Sequence, residues 1–222
     1  MRFLSKIAFF CIIFGFNLNL EGKLFAQDSL ELQSVLRSHV LLKQEGSSLP
    51  FWMYTNTSAE LNPESTYSIN LESNLTLKDE RSVSTAQMRF FMTDGMQPIL
   101  KRGTLFISHK REFWQAQLGA KPFETLHFGL ATTVNNFLES NNARPFPGLR
   151  LEANKPFPVF KNFGIDWGIA HYQLNDARFV DKTRVHYKRF GIVWQQARST
   201  FKANLSHYAQ WAGVSQSEGQ LP

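Results

Sequence analysis

The segment YSINLESNLTL, residues 67–77, carries the fold in its alternation. Tyr67, Ile69, Leu71, Leu75 and Leu77 fall on one face, broken only by Ser73, while Ser68, Asn70, Glu72, Asn74 and Thr76 fall on the other. A period of two held this long predicts a β-strand with one apolar and one polar side. At about 3.3 Å per residue the segment spans roughly 36 Å. Strands of soluble proteins usually stop near five or six residues, whereas a tilted strand needs about 9–11 to cross a bilayer.

The pattern repeats in STAQMRFFMTD (84–94), GTLFISHKRE (103–112), EFWQAQLGA (112–120), FGIDWGIAHYQL (163–174), RVHYKRFGIVWQ (184–195) and STFKANLSHYAQW (199–211). The second and third read as a hairpin turning at HKRE. The count comes to about nine or ten strands joined by turns rich in Asn, Asp, Gly and Lys, with no helical stripe. Two architectures produce this: a soluble β-sandwich, or a transmembrane antiparallel β-barrel of outer-membrane type, apolar outside and polar inside. Asn70, Glu72 and Asn74 are costly in a dry sandwich core and at ease facing a wet lumen, which favours the barrel over residues 48–222.

Composition agrees. Of 222 residues, 43% are apolar, 14% aromatic and only 19% charged, which excludes a disordered chain. Arg2 and Lys6 precede or flank the apolar run IAFFCIIFGF (7–16), too short to span a bilayer as a helix and suited to a signal-peptide core. Cleavage after Ala26 is expected, so residues 1–26 are read as a signal peptide for export to the bacterial outer membrane. Residues 27–47 fit neither period cleanly; a short helix and a leading strand both remain open. The single cysteine, Cys11, lies inside the signal core, so the mature chain is expected to have no disulfide and no thiolate site. Removing Arg2, Lys6, Glu21 and Lys23 reduces the net charge from +6 to +4. That mild charge, an export signal and the absence of nucleic-acid modules argue against a nucleic-acid partner.

Three His-Tyr pairs, His171-Tyr172, His186-Tyr187 and His207-Tyr208, fall on three strands. If the tyrosines form an interfacial girdle, the histidines face the lumen, because neighbours in a strand point oppositely. A three-histidine metal site and solvated histidines behind girdle tyrosines are the two readings; no carboxylate spacing supports the metal. No G-x-S-x-G or H-E-x-x-H is present, so no enzymatic role and no cofactor is expected. Trp and Tyr beside amides, as in DWGIAHYQLND and SHYAQW, suit sugar rings stacked on aromatics; an interface belt explains the same residues.

The stretch NNARPFPGLRLEANKPFP (141–158) interrupts the strands. Pro145, Pro147 and Pro156 lack the N–H that a ladder requires, so the stretch is expected to be a stiff connection at one rim and not a central strand. Arg144 and Arg150 would then be held as donors toward an anionic glycan or lipid head group, or pair with nearby carboxylates. With Asn142, Trp167, His171, Tyr208 and Trp211 they form the candidate polysaccharide-binding set.

Several stretches taken in order resemble the capsule assembly Wzi family: LPFWMYTNTSAELNPES (49–65), GAKPFETL (119–126), NNARPFPGLRLEANKPFP, RVHYKRFGI and NLSHYAQWAG. In the last, Ala212 stands where the family pattern has a glycine. The resemblance implies a large outer-membrane barrel, on the order of eighteen strands, that binds capsular or surface polysaccharide and assists capsule assembly without catalysis. It also implies outer-membrane lipid and the barrel-insertion machinery as partners. Ten strands are too few for that barrel, so the chain is expected to be the N-terminal half of a longer protein; a self-contained small barrel is the alternative. A general diffusion porin and a soluble exported sugar-binding sandwich are the competing functions.

Overall fold

The computed structural model describes residues 14–18, 31–42, 48–54, 57, 60–94, 100–122, 143–174, 180–215 and 219–220. The fold is an all-β, antiparallel sheet. Its strands are β1 (Phe14–Leu18), β2 (Glu31–Leu42), β3 (Tyr67–Lys78), β4 (Ser82–Thr93), β5 (Leu100–Arg111), β6 (Trp114–Ala120), β7 (Pro147–Ala153), β8 (Phe157–Phe160), β9 (Phe163–Gln173), β11 (Arg184–Gln195) and β12 (Thr200–Trp211). They pair in chain order from β1 to β7, then β9, β11 and β12, with β8 also on β9; β1 and β12 are the edges and the sheet does not close. A separate small sheet joins β10 (Val180–Asp181), β13 (Val214–Ser215) and β14 (Gly219–Gln220). The only helix among the described residues is one turn, α1 (Phe51–Tyr54).

The long strands fall where the alternation places them, and β11 coincides with RVHYKRFGIVWQ. Residues 31–42, left open between helix and strand, form β2 and pair along their whole length with β3. Phe14–Leu18, inside the segment expected to be a signal peptide, is the edge strand on β2. The turn expected at HKRE is tighter and later: His109, Lys110 and Arg111 remain in β5, and the chain reverses at Glu112 and Phe113.

The proline-rich stretch is the main correction. Pro147–Ala153 is a central strand, paired with β6 on one side and β9 on the other. Pro147 stands first in the strand, where a missing N–H is tolerated. Between Pro147 and Pro156 the sequence GLRLEA alternates normally, with Leu149 and Leu151 on one face and Arg150 and Glu152 on the other. Pro156 marks a break, after which β8 resumes pairing with the remaining part of β9. Gly148, opposite Tyr172, has no room for a side chain: a Cβ there would lie 2.3 Å from the His171 carbonyl oxygen.

The two faces of the sheet differ. One is covered by connecting segments. Glu60, from the β2–β3 connection, reaches Arg89, and the Arg102 guanidinium donates to the Pro145 carbonyl. Phe146 packs with Ala170, Tyr172, Leu174, Val185 and Tyr187 in the buried apolar cluster. The other face is open and apolar. It shows Ile69, Leu71, Leu75, Leu77, Met88, Leu105, Ile107, Leu118, Leu149, Ile169, Phe190, Ile192 and Leu205 to the surroundings, several of them more than half exposed. An apolar surface of this continuity far exceeds what a monomer surrounded by water normally shows.

Candidate functional site

The covered face carries two groups of charge. On β2–β4, Arg37, Glu72 and Arg89 stand in one row of the ladder, with Arg37 3.5 Å from Glu72. Glu60 lies 2.6 Å from Arg89 and accepts a 3.0 Å hydrogen bond from the Asn70 amide. Burial raises the Glu60 pKa, and the opposing pull of Arg89 and Asn70 does not fully offset it.

The second group spans five strands. Glu152 on β7 accepts from the Gln115 amide on β6 and lies 2.6 Å from Arg150 and 3.5 Å from Arg189 on β11. Arg189 also donates to Asp166 on β9 at 2.9 Å, and Asp166 pairs with Lys202 on β12. The side chains of Glu152 and Asp166 are 5% exposed. Low exposure strengthens these contacts, in which, among the described residues, three cations meet two carboxylates. Tyr187 and Tyr208 stack beside it at 4.9 Å.

The sequence-predicted residues are divided among three places. Arg150 and Tyr208 belong to the covered face, Arg150 within a strand and ion-paired with Glu152 in place of a rim loop position. Arg144 lies in the connection preceding β7, half-buried. Trp167, His171 and Trp211 stand on the open face, since Asp166, Tyr172 and Gln210 beside them point to the covered side. Asn142 lies outside the described residues.

The His-Tyr pairs are therefore oriented opposite to the girdle-tyrosine reading. Tyr172, Tyr187 and Tyr208 face the covered side, and His171, His186 and His207 the open side. His171 and His186 are register partners whose rings pack at 6.1 Å, and Trp211 lies 5.1 Å from His171. Among the described residues no three His, Cys, Asp or Glu gather as metal ligands. Glu152, Asp166, Arg189 and Lys202 were not singled out from the sequence. Their signal was a charge replacing a polar residue at a covered-face position, as in RLEA, GIDWG and FKAN.

No protein-family model, no curated protein and no solved structure matches the chain.

Proposed function

We propose that this sheet is one wall of a bacterial outer-membrane β-barrel of the Wzi type, which binds capsular or surface polysaccharide and assists capsule assembly without catalysis. The observation that carries the reading is the two-sided sheet. Strands of 11 or 12 residues hold an uncovered apolar face against lipid and a charged, tyrosine-bearing face inward. Once the signal peptide that carries β1 is removed, β2 and β12 are the open edges, and they support a wall that pairs with further strands, because an unpaired edge in lipid leaves backbone groups unsatisfied. On this reading the chain is exported by an N-terminal signal peptide, inserted by the barrel-insertion machinery and surrounded by outer-membrane lipid. Arg144, in the connection lying against the covered face, is the donor assigned to anionic glycan.

The test has two steps. Immunoblots of the outer-membrane fraction, boiled and unboiled, should show a heat-dependent shift in mobility; a protein found only in soluble fractions refutes the wall. Arg144→Ala should then reduce retention of surface polysaccharide by several-fold while the shift persists. Unchanged retention refutes the glycan role, and a large steady conductance in planar bilayers would favour a porin.

A further inference from the structure

The open face is not uniformly apolar. Where β9 ends, β11 begins and β12 ends, it carries Arg184, His186, Lys188, His171 and His207. Arg184, Lys188, His171 and His207 are exposed and His186 is half-buried. None of the five makes an ion pair among the described residues. The carboxylate of β9, Asp166, faces the other side, and Asp181 belongs to the separate strand β10. Unneutralised cations are costly beside hydrocarbon, least so at its boundary. Next along the same strands come Ile169, Phe190, Ile192 and Leu205, all exposed.

The connections fix which boundary this is. At the opposite end of the sheet the strands from β3 onward are joined by short turns at 79–81, 112–113, 161–162 and 196–199, while the connection from β1 to β2 there covers residues 19–30, mostly within the expected signal peptide. At the basic end the connections run over 43–66, 94–99, 121–146 and 174–183. Outer-membrane barrels keep short turns on the periplasmic side and long loops outside. Resting on the membrane half of the reading above, we infer that this patch binds the phosphorylated head group of an outer-leaflet lipid, whose acyl chains lie along the adjoining apolar strip. Arg184 and Lys188 supply permanent charge to phosphate, and Trp211 sits at the level of the head group beside His171.

The experiment uses the protein extracted in detergent from the outer membrane, with whatever strands complete its barrel, and lipid A as the probe, compared with the same acylated disaccharide stripped of phosphate. The phosphorylated form should bind at least about tenfold tighter. The double variant Arg184→Gln/Lys188→Gln should lose most of that difference, while Lys155→Gln, in a turn at the other end, keeps it. Equal affinity for the two lipids on the unaltered chain overturns the inference even if the double variant fails to fold. So does full competition by inorganic phosphate, which would reveal a simple anion site. A chain that never shows the heat-dependent shift overturns the membrane reading itself, a result distinct from insertion without phosphate preference.

Discussion

Asp166 and Arg189 form a 2.9 Å ion pair between adjacent strands, yet neither is the other's register partner. Asp166 lies opposite Gly191, and Arg189 lies opposite Gly168. The Arg189 guanidinium therefore reaches diagonally across the ladder to the short Asp166 carboxylate, with Gly168 and Gly191 at the two other corners. A Cβ on Gly168 would approach the Glu152 Cβ to 3.2 Å and the Arg189 Cβ to 3.9 Å, crowding the space the network occupies.

Asp166→Ala should destabilise the fold by about 2 kcal/mol, since Arg189 keeps only its longer contact to Glu152 and Lys202 loses its partner. Lys202→Gln, at a side chain 44% exposed, should cost under about 1 kcal/mol. Urea midpoints of both variants in the same detergent check the ordering; equal costs would show that Asp166 does not organise the network.

If the open face meets lipid, Phe190→Lys, near the middle of β11, should impair insertion by about 2–4 kcal/mol. Asn204→Lys, on the covered face opposite Gly191, should be tolerated. The inserted fraction in vesicles, read by protease protection, separates the two, and equal behaviour would argue that both faces meet water.

Ala212 takes a backbone φ of 55°, in the left-handed region, and Gly213 follows at 135°. A side chain in that region costs about 1 kcal/mol. Ala212→Gly should thus raise stability by up to about 1 kcal/mol, less the entropy glycine adds to the unfolded chain. A lowered unfolding midpoint would contradict the strain.

Asp79, in the β3–β4 turn, accepts hydrogen bonds from the Ser82 hydroxyl and from the Arg81 and Ser82 amides, all at 2.7 Å. The Ser82 hydroxyl first, then these amides, lower its pKa below 3.8. A carboxylate with a depressed folded pKa stabilises above its unfolded value and loses that contribution as pH falls through the folded one. Exchange of the Ser82 amide, corrected for intrinsic rates, should accordingly speed up only below pH 3.8, and Asp79→Asn should remove the pH dependence.

Strand identity and sidedness were legible along most of the chain because alternation reports both together. Tyr67–Lys78, Phe163–Gln173 and Arg184–Gln195 show this most clearly. Pro147–Ala153 was hidden because prolines on both sides masked a short, regular alternation. The charge network was hidden for another reason. Glu152, Arg189, Asp166 and Lys202 meet only through pairing registers, and alternation fixes a residue's face but not its row. The same limit left the histidines and tyrosines assigned to faces only conditionally.

The registers also carry a slope. One ladder row passes from Glu31 through Lys78, Val83, Lys110, Gln115, Glu152, Gly168 and Arg189 to Ser206. It starts at the terminal residue of β2 but arrives well inside β12, whose first residue is Thr200. That stagger of about 20 Å over a sheet width of about 38 Å inclines the strands by roughly 28° to the perpendicular of the turn-bearing rim. Shear of this sense is what lets a sheet curl toward closure, since untilted strands give a flat ribbon. A strand added beyond β12 would meet this ladder row six residues in from the first residue of β12.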